Sequence, residues 1–206
     1  MKGIVYDCEV ICCVSPKNGE LDILDSNYQY ANGWTDYENL GISVIGVIYL
    51  DSEKTEVFVN SQWENLKFPN FSDFQQLIYN IQKNDGIIAG FNSISFDDRL
   101  CRANGIAIAT NFDLLQEVRV AAYGSTEWSD QPEDYSYSLD AITRANGYCK
   151  TGHGASAAKQ WQDKYYFEVI DYCINDCRIT KRMIELFNRG ELIDPNNGRI
   201  LKPVSY

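Results

Sequence analysis

Residues 3–14 read GIVYDCEVICCV. The run is rich in β-branched and aromatic side chains, which favours a strand, yet it carries two acids. Asp7 and Glu9 stand two apart, so on a strand their side chains leave the same face. A strand this apolar belongs inside a sheet, and inward carboxylates there are costly unless something neutralises them. Either the strand reaches solvent where the acids sit, or it carries a site that holds positive charge. Taken alone, the motif favours solvent.

The rest of the chain reads as follows. SPKNGE (15–20) is a turn signal, and LDILD (21–25) is expected to return as a hairpin arm. SNYQYANGWTDYENLG is polar and aromatic, as in a surface excursion. SVIGVIYLD and KTEVFVN are two further strands joined by DSEK. SDFQQLIYNIQKN puts Phe74, Leu77, Ile78 and Ile81 on one helical face behind a Ser72 cap. GIIAG is a short buried strand, FDDRLCRANG a helix closing at Gly105, and FDLLQEVRVAAYG a further helix. STEWSDQPEDYSYS is a loop by composition, expected to serve as a flap. SLDAITRANG and GASAAKQWQDK give two short helices, Tyr165 to Arg189 a long one, and residues 190–206 a closing hairpin. Three strands, a helix, a fourth strand and then mostly helices argue an α/β fold with a mixed sheet. A length of 206 residues suits one domain with a full core.

Composition excludes several classes. Hydrophobic residues make up 45% and charged residues 23%, which is globular rather than disordered. No apolar run approaches the ~18 residues of a membrane span, and MKGIVYDCEVICCVSP lacks the apolar core and cleavage site of a signal peptide. Seven cysteines without a C-x-x-C pair fit a reducing, cytoplasmic compartment. His153, the single histidine, lies too far from them along the chain for a zinc pattern. The net charge is −11; residues 1–140 carry 8 Lys and Arg against 22 Asp and Glu, and the remainder 10 against 7. The acidic part suits metal binding, and the mildly basic part suits phosphates. Long-range attraction of nucleic acid is expected to be weak.

The long helix contains YCINDCRIT, in which Tyr172 and Asp176 are four apart and so are Cys173 and Cys177. At about 100° per residue, Tyr172 and Asp176 lie within about 40° of each other. Ile170, Cys173, Ile174, Cys177 and Ile184 fall on a neighbouring stripe, about 100° to 200° round, which is the core face. Free cysteine behaves there as a small hydrophobe. The cysteines pack, and the Tyr/Asp edge is available for chemistry. By itself such an edge is most often merely solvated. In GFNSISFDDRL a buried strand runs into a turn, and Asp97 follows at a helix start, where an acid is also commonplace.

In this order, D-x-E, N-x-x-x-F-D and Y-x-x-x-D resemble the motifs of DEDD exonucleases of the ribonuclease H-like fold. Tyr172 marks the branch that includes polymerase proofreading domains. The histidine branch would need His where Asp171 stands. LGISVIGVIYLD, IIAGFNSISFDDRL, FDLLQEV, YSLDAITRANGYCKTGHG and VIDYCINDCRITKRMIELFNRGEL extend the resemblance to small stand-alone exonucleases similar to those proofreading domains. Against that pattern, Val10 replaces the Thr or Ser that often follows the first motif, and residues 12–39 form a longer insertion.

The resemblance implies one exonuclease domain over residues 1–206, a phosphodiester hydrolase acting 3′–5′ on single-stranded nucleic acid, DNA favoured over RNA. Asp7, Glu9, Asp97 and Asp176 would be hard oxygen ligands for two divalent cations, Mg²⁺ or Mn²⁺. In such sites the ions stand about 3.5–4 Å apart, one activating water and one stabilising the leaving oxygen. Tyr172 would orient the attacking water or the phosphate, and nucleoside 5′-monophosphates would leave. Asn92 and Phe96 would border the terminal nucleotide, with Phe96 equally suited to core packing. KTGHG (Lys150 to Gly154) would lie beside the site, with His153 toward phosphate. Trp128, Tyr135 and Tyr137 are candidates for base stacking, although the acidic loop around them suits a passive surface better. Asp113 and Asp140 read as helix-start residues. The rivals are a silent nucleic-acid or protein-binding module with the same fold and a structure-selective endonuclease. With so little basic surface, a protein partner would have to supply processivity.

Overall fold

A computed structural model of the protein describes residues 2–14, 25–59, 68–149 and 154–204. The turn and most of the hairpin arm expected at 15–25 lie outside these residues, as does His153. The first strand, β1 (Gly3–Val10), ends sooner than the apolar run suggests. The N–H groups of Ile11 and Cys12 turn to the Leu40 carbonyl instead of continuing the ladder. The chain then forms a two-stranded parallel pair, β2 (Cys13–Val14) with β3 (Tyr30–Ala31), followed by one helical turn, α1 (Tyr37–Leu40).

Two strands follow as expected, β4 (Ile42–Tyr49) and β5 (Thr55–Val59), then helix α2 (Phe71–Lys83) and strand β6 (Ile87–Gly90). The cap of α2 is Asn70 rather than Ser72. Asn70 has extended backbone and its Oδ1 accepts the Ser72 and Asp73 N–H groups, while Asp73 receives the Asn70 N–H at 2.9 Å. This reciprocal box is open to Asn70 because an acid lies three residues on. Helix α3 (Asp97–Ala103) comes next, then a short strand β7 (Phe112–Asp113) where only helix was expected, and α4 (Leu114–Tyr123). Helices α5 (Leu139–Ala145), α6 (Gly154–Gln162) and α7 (Tyr166–Arg189) precede the closing antiparallel pair β8 (Leu192–Ile193) and β9 (Ile200–Leu201).

The main sheet has the order β5-β4-β1-β6-β7. It is mixed: β1 pairs antiparallel with β4 and parallel with β6. Alternation along β1 sends Ile4, Tyr6, Cys8 and Val10 into a core with Phe74 and Ile78 of α2 and Leu100 and Cys101 of α3. Val5, on the opposite face, joins Leu114, Ile142, Cys177, Met183 and Phe187. Helix α7 covers that second face with the predicted stripe: Ile170, Cys173, Ile174, Cys177 and Ile184 are all buried. Gly190, in the left-handed region at φ 66°, ends it. Asp7 and Glu9 share the Val5 face, so the acids of the central strand look toward α7.

Candidate active site

β1 is flanked on both sides, so its acids cannot escape to a sheet edge. The pairing slips by one between Glu9 and Val10, and a bulge of this kind re-aims nearby side chains. Asp7 is half-buried, while Glu9, Asp97 and Asp176 are buried. These four carboxylates and Tyr172 line one cleft of about 660 Å³, together with Asn92 and Phe96. Three stretches distant in sequence thus line one cleft, as the motif resemblance implies.

The second motif is held by contacts that local sequence does not display. Asn92 sits at φ 60°, a region that Asn tolerates better than most residues. Its N–H donates to Asp113 Oδ1 at 2.9 Å, and that of Ile94 to Asp113 Oδ2 at 3.0 Å. Asp113 also caps α4 by accepting the Leu115 N–H at 3.0 Å. It is therefore the expected helix-start residue and also a clamp on the motif loop. Burial pushes its carboxyl above the usual range, against the pull of those N–H donors. Gly90 lets the loop fold back, since a Cβ there would stand 2.5 Å from Ser93 Oγ.

Asp97 and Asp98 divide the work. Asp98 is buried and accepts the Tyr6 hydroxyl at 2.6 Å and the Thr110 N–H and hydroxyl at 3.0 and 2.9 Å. It fastens α3 to β1. Asp97, the first residue of α3, accepts the Cys8 N–H at 3.1 Å and reaches the cleft. Burial, then the neighbouring Asp7, raises its pKa well above the normal carboxylate value. A carboxyl destabilised by burial and a like charge is what a cation would relieve. In donor type the four carboxylates suit a hard cation such as Mg²⁺ or Mn²⁺; in position, Asp7 and Glu9, with Cys173, are the group among the described residues whose ligand atoms lie within 4.8 Å of one another.

On α7, Tyr172 and Asp176 present one edge to the cleft. Burial raises the tyrosine pKa strongly; Asp176 and Glu9 add to this by charge, and a hydrogen bond to Asp176 does the same. The phenol stays protonated near neutrality. Cys173 lies closer to the acids than the packing stripe implies: one ligand atom each from Asp7, Glu9 and Cys173 lies within 4.8 Å of the others. Its thiol is fully buried, donates to the Asp7 carbonyl at 3.4 Å, and is kept neutral chiefly by burial. It packs against the acids without lining the cleft. All seven cysteines are free.

Phe96 lines the cleft and meets Trp34 and Tyr37 edge-on, with centroids 6.0 and 5.9 Å away. Tyr137, a stacking candidate from sequence, is instead buried; its hydroxyl donates to Asp194 at 3.2 Å, and burial with that carboxylate pushes it up to about 12. Asp140 is in the first turn of α5, where Ser138 is the cap, and pairs with Arg144. The loop expected as a flap is fastened, with Arg119 donating to the Thr126 carbonyl at 3.3 Å and Ser136 N–H to Asn196 at 2.7 Å. Trp34 and Arg119 also line the cleft; neither had a motif to mark it.

Among solved structures, the chain is similar to a moderately thermophilic Exonuclease I from Methylocaldum szegediense, with a TM-score of 0.51 and 16% identity. The match covers 91% of this chain and 40% of that one, so the chain spans well under half of that protein's length. The likeness is one of fold: an α/β, ribonuclease H-like arrangement of a mixed sheet flanked by helices. No family model and no curated protein matches the sequence. No helix among the described residues is long and apolar enough to cross a membrane.

Proposed function

We propose that this chain is a cytoplasmic, metal-dependent 3′–5′ exonuclease of the DEDD tyrosine branch, acting on single-stranded nucleic acid and favouring DNA. One observation carries the reading: Asp7, Glu9, Asp97, Tyr172 and Asp176, from three separate elements, line the same cleft. The Exonuclease I name of the structural relative supports it. Residues 1–206 would act as one domain, with 12–39 as an insertion. The four carboxylates would hold two divalent cations, Mg²⁺ or Mn²⁺, which when bound supply an activated water and neutralise charge on the scissile phosphate.

The chain's own residues do the positioning. Tyr172, protonated, donates its hydroxyl to the attacking water or a phosphate oxygen and is no general base. Asn92 and Phe96 border the terminal nucleotide, whose 5′-monophosphate is the product. Clamping of the Asn92 loop by Asp113 keeps that border in place.

The test is digestion of DNA and RNA oligomers, labelled at either end, with Mg²⁺ or Mn²⁺. Stepwise release of mononucleotides from the 3′ end is expected. Internal cuts would mean an endonuclease, and binding without any cleavage a silent module.

A further inference from the structure

Of the three tryptophans among the described residues, two stand apart from the core. Trp34 is 45% exposed and Trp128 is 73% exposed, whereas Trp161 is fully buried. Both exposed rings line the cleft that holds the carboxylates. They arrive on different segments, Trp34 ahead of α1 and Trp128 in a 3₁₀ turn (Trp128–Asp130) after α4.

Each ring rests on a braced scaffold. On the Trp34 side, Asp36 accepts the Asn32 N–H at 3.0 Å and the Asn39 side chain at 2.7 Å. The Tyr37 hydroxyl reaches the Ser95 carbonyl at 3.2 Å, tying the segment to the second-motif loop. Phe96 supports the indole edge-on. On the Trp128 side, Ser125 donates to Asp130 at 2.6 Å and the Tyr123 hydroxyl to the Glu127 carbonyl at 3.3 Å. Both rings therefore stand exposed on ordered supports within the cleft that holds the carboxylates.

Charge selects what they bind. Arg119 is the sole Lys or Arg lining the cleft among the described residues, and Glu127 and Asp130 flank Trp128 in sequence. Such a rim repels phosphates but accepts the uncharged faces of nucleobases, every one of which can stack on an aromatic ring.

We propose that Trp34 and Trp128 form a base-stacking clamp that holds the last nucleotides of a single strand at the carboxylate site. Grip then comes from bases more than from backbone phosphates, and a paired end, whose bases are already stacked, is a poor ligand. The clamp rests on the nucleic-acid reading of the cleft.

The probe is a 5′-fluorescein thymidine tetranucleotide, compared with the same oligomer carrying abasic residues at its last two positions. Affinity is read by anisotropy with Ca²⁺ replacing Mg²⁺, and folding of each variant by circular dichroism. Each stacked base is expected to contribute roughly 5- to 100-fold, so the intact oligomer should bind at least about 25-fold more tightly than the abasic one. Trp34→Ala and Trp128→Ala should each lose most of that preference, and Trp→Phe at either position should keep much of it. Abasic oligomers should bind wild type and variants alike. Equal binding of both oligomers to wild type overturns the clamp, as does full discrimination by either alanine variant. Discrimination without hydrolysis in Mg²⁺ or Mn²⁺ keeps the clamp and removes the exonuclease reading; hydrolysis with indifference to bases does the reverse.

Discussion

Gly46 and Cys173 meet where β4 passes beneath α7: a Cβ on Gly46 would stand 2.9 Å from the Cys173 sulfur and 3.4 Å from its carbonyl carbon. Gly46 is paired with Asp7 across the sheet. The space left by one hydrogen therefore sets how closely the Tyr172–Asp176 edge approaches the acids of β1.

Gly46→Val should consequently do two things. Overpacking at such a contact costs about 1–3 kcal/mol, seen as a lower urea midpoint. Displacement of α7 should also cut turnover in the fraction that remains folded. A variant that loses stability but keeps full specific activity would show that the helix position is not critical.

Asp97 gives the pH dependence. Its pKa is raised by burial and by Asp7, so the folded chain holds that proton more tightly than the unfolded chain does. This contribution to stability is full below the unfolded value of about 4 and is lost as pH rises through the folded value. Metal-free protein should therefore lose stability from this group as pH climbs from about 4 towards neutrality. Mg²⁺ or Mn²⁺ should restore it most at the upper end. Asp7→Asn should remove activity, leave the fold intact and only weaken the dependence, since burial of Asp97 remains. Melting curves across pH, with and without Mn²⁺, check each part.

Tyr172→Phe keeps the ring and removes the hydroxyl. A fall in turnover of about 10- to 100-fold is expected, below the ~10²–10⁴ typical of losing an acid–base group. Mn²⁺ affinity should barely change. Because burial and the nearby acids hold the phenol protonated, both proteins should share one pH–rate shape up to pH 9. An inflection lost only in the Phe variant would make Tyr172 a base.

Cys177 is fully buried among Val5, Leu114 and Met183. Cys177→Ala should cost about 1 kcal/mol, as for deletion of a small apolar group, and leave turnover per folded molecule unchanged. Abolished activity in a well-folded variant would return the thiols to the chemistry.

That Asp7, Glu9, Asp97 and Asp176 share one cleft was legible because strand and helix periods fix which side chains share a face, and because the order of the three motifs resembles that of a known family. Asp113 was only half legible. Its place before a helix showed in the sequence, but its hold on Asn92 and Ile94 is a tertiary contact with no local period. The α2 cap was misplaced because Asn70 and Ser72 are both capping types, and only the reach of Asp73 separates them. Gly46 carried a usable signal, since glycine inside a strand marks a close approach. The strand at Phe112–Asp113 is too short for any alternation to reveal it. Trp34 lay in a polar, aromatic stretch where nothing but the fold connects it to Phe96.

Binding should depend only weakly on salt. Residues 1–140 hold 22 acidic against 8 basic side chains, and Arg119 is the one cation lining the cleft among the described residues. Among the described residues, no basic track lines the cleft to follow a backbone. Each phosphate neutralised on a single strand contributes about −0.7 to the salt slope of binding. A site that grips three or four nucleotides should show a slope no steeper than about −2 to −3, and affinity should stop rising once an oligomer fills the cleft. Digestion should then be distributive unless a partner protein lends a basic surface. Binding of oligomers of increasing length to Asp7→Asn protein, at several salt concentrations with Mn²⁺ throughout, gives both quantities. A steeper slope, or affinity that keeps climbing over many nucleotides, would place a phosphate-binding groove beyond the cleft and shift the main grip from the 3′ end to the backbone.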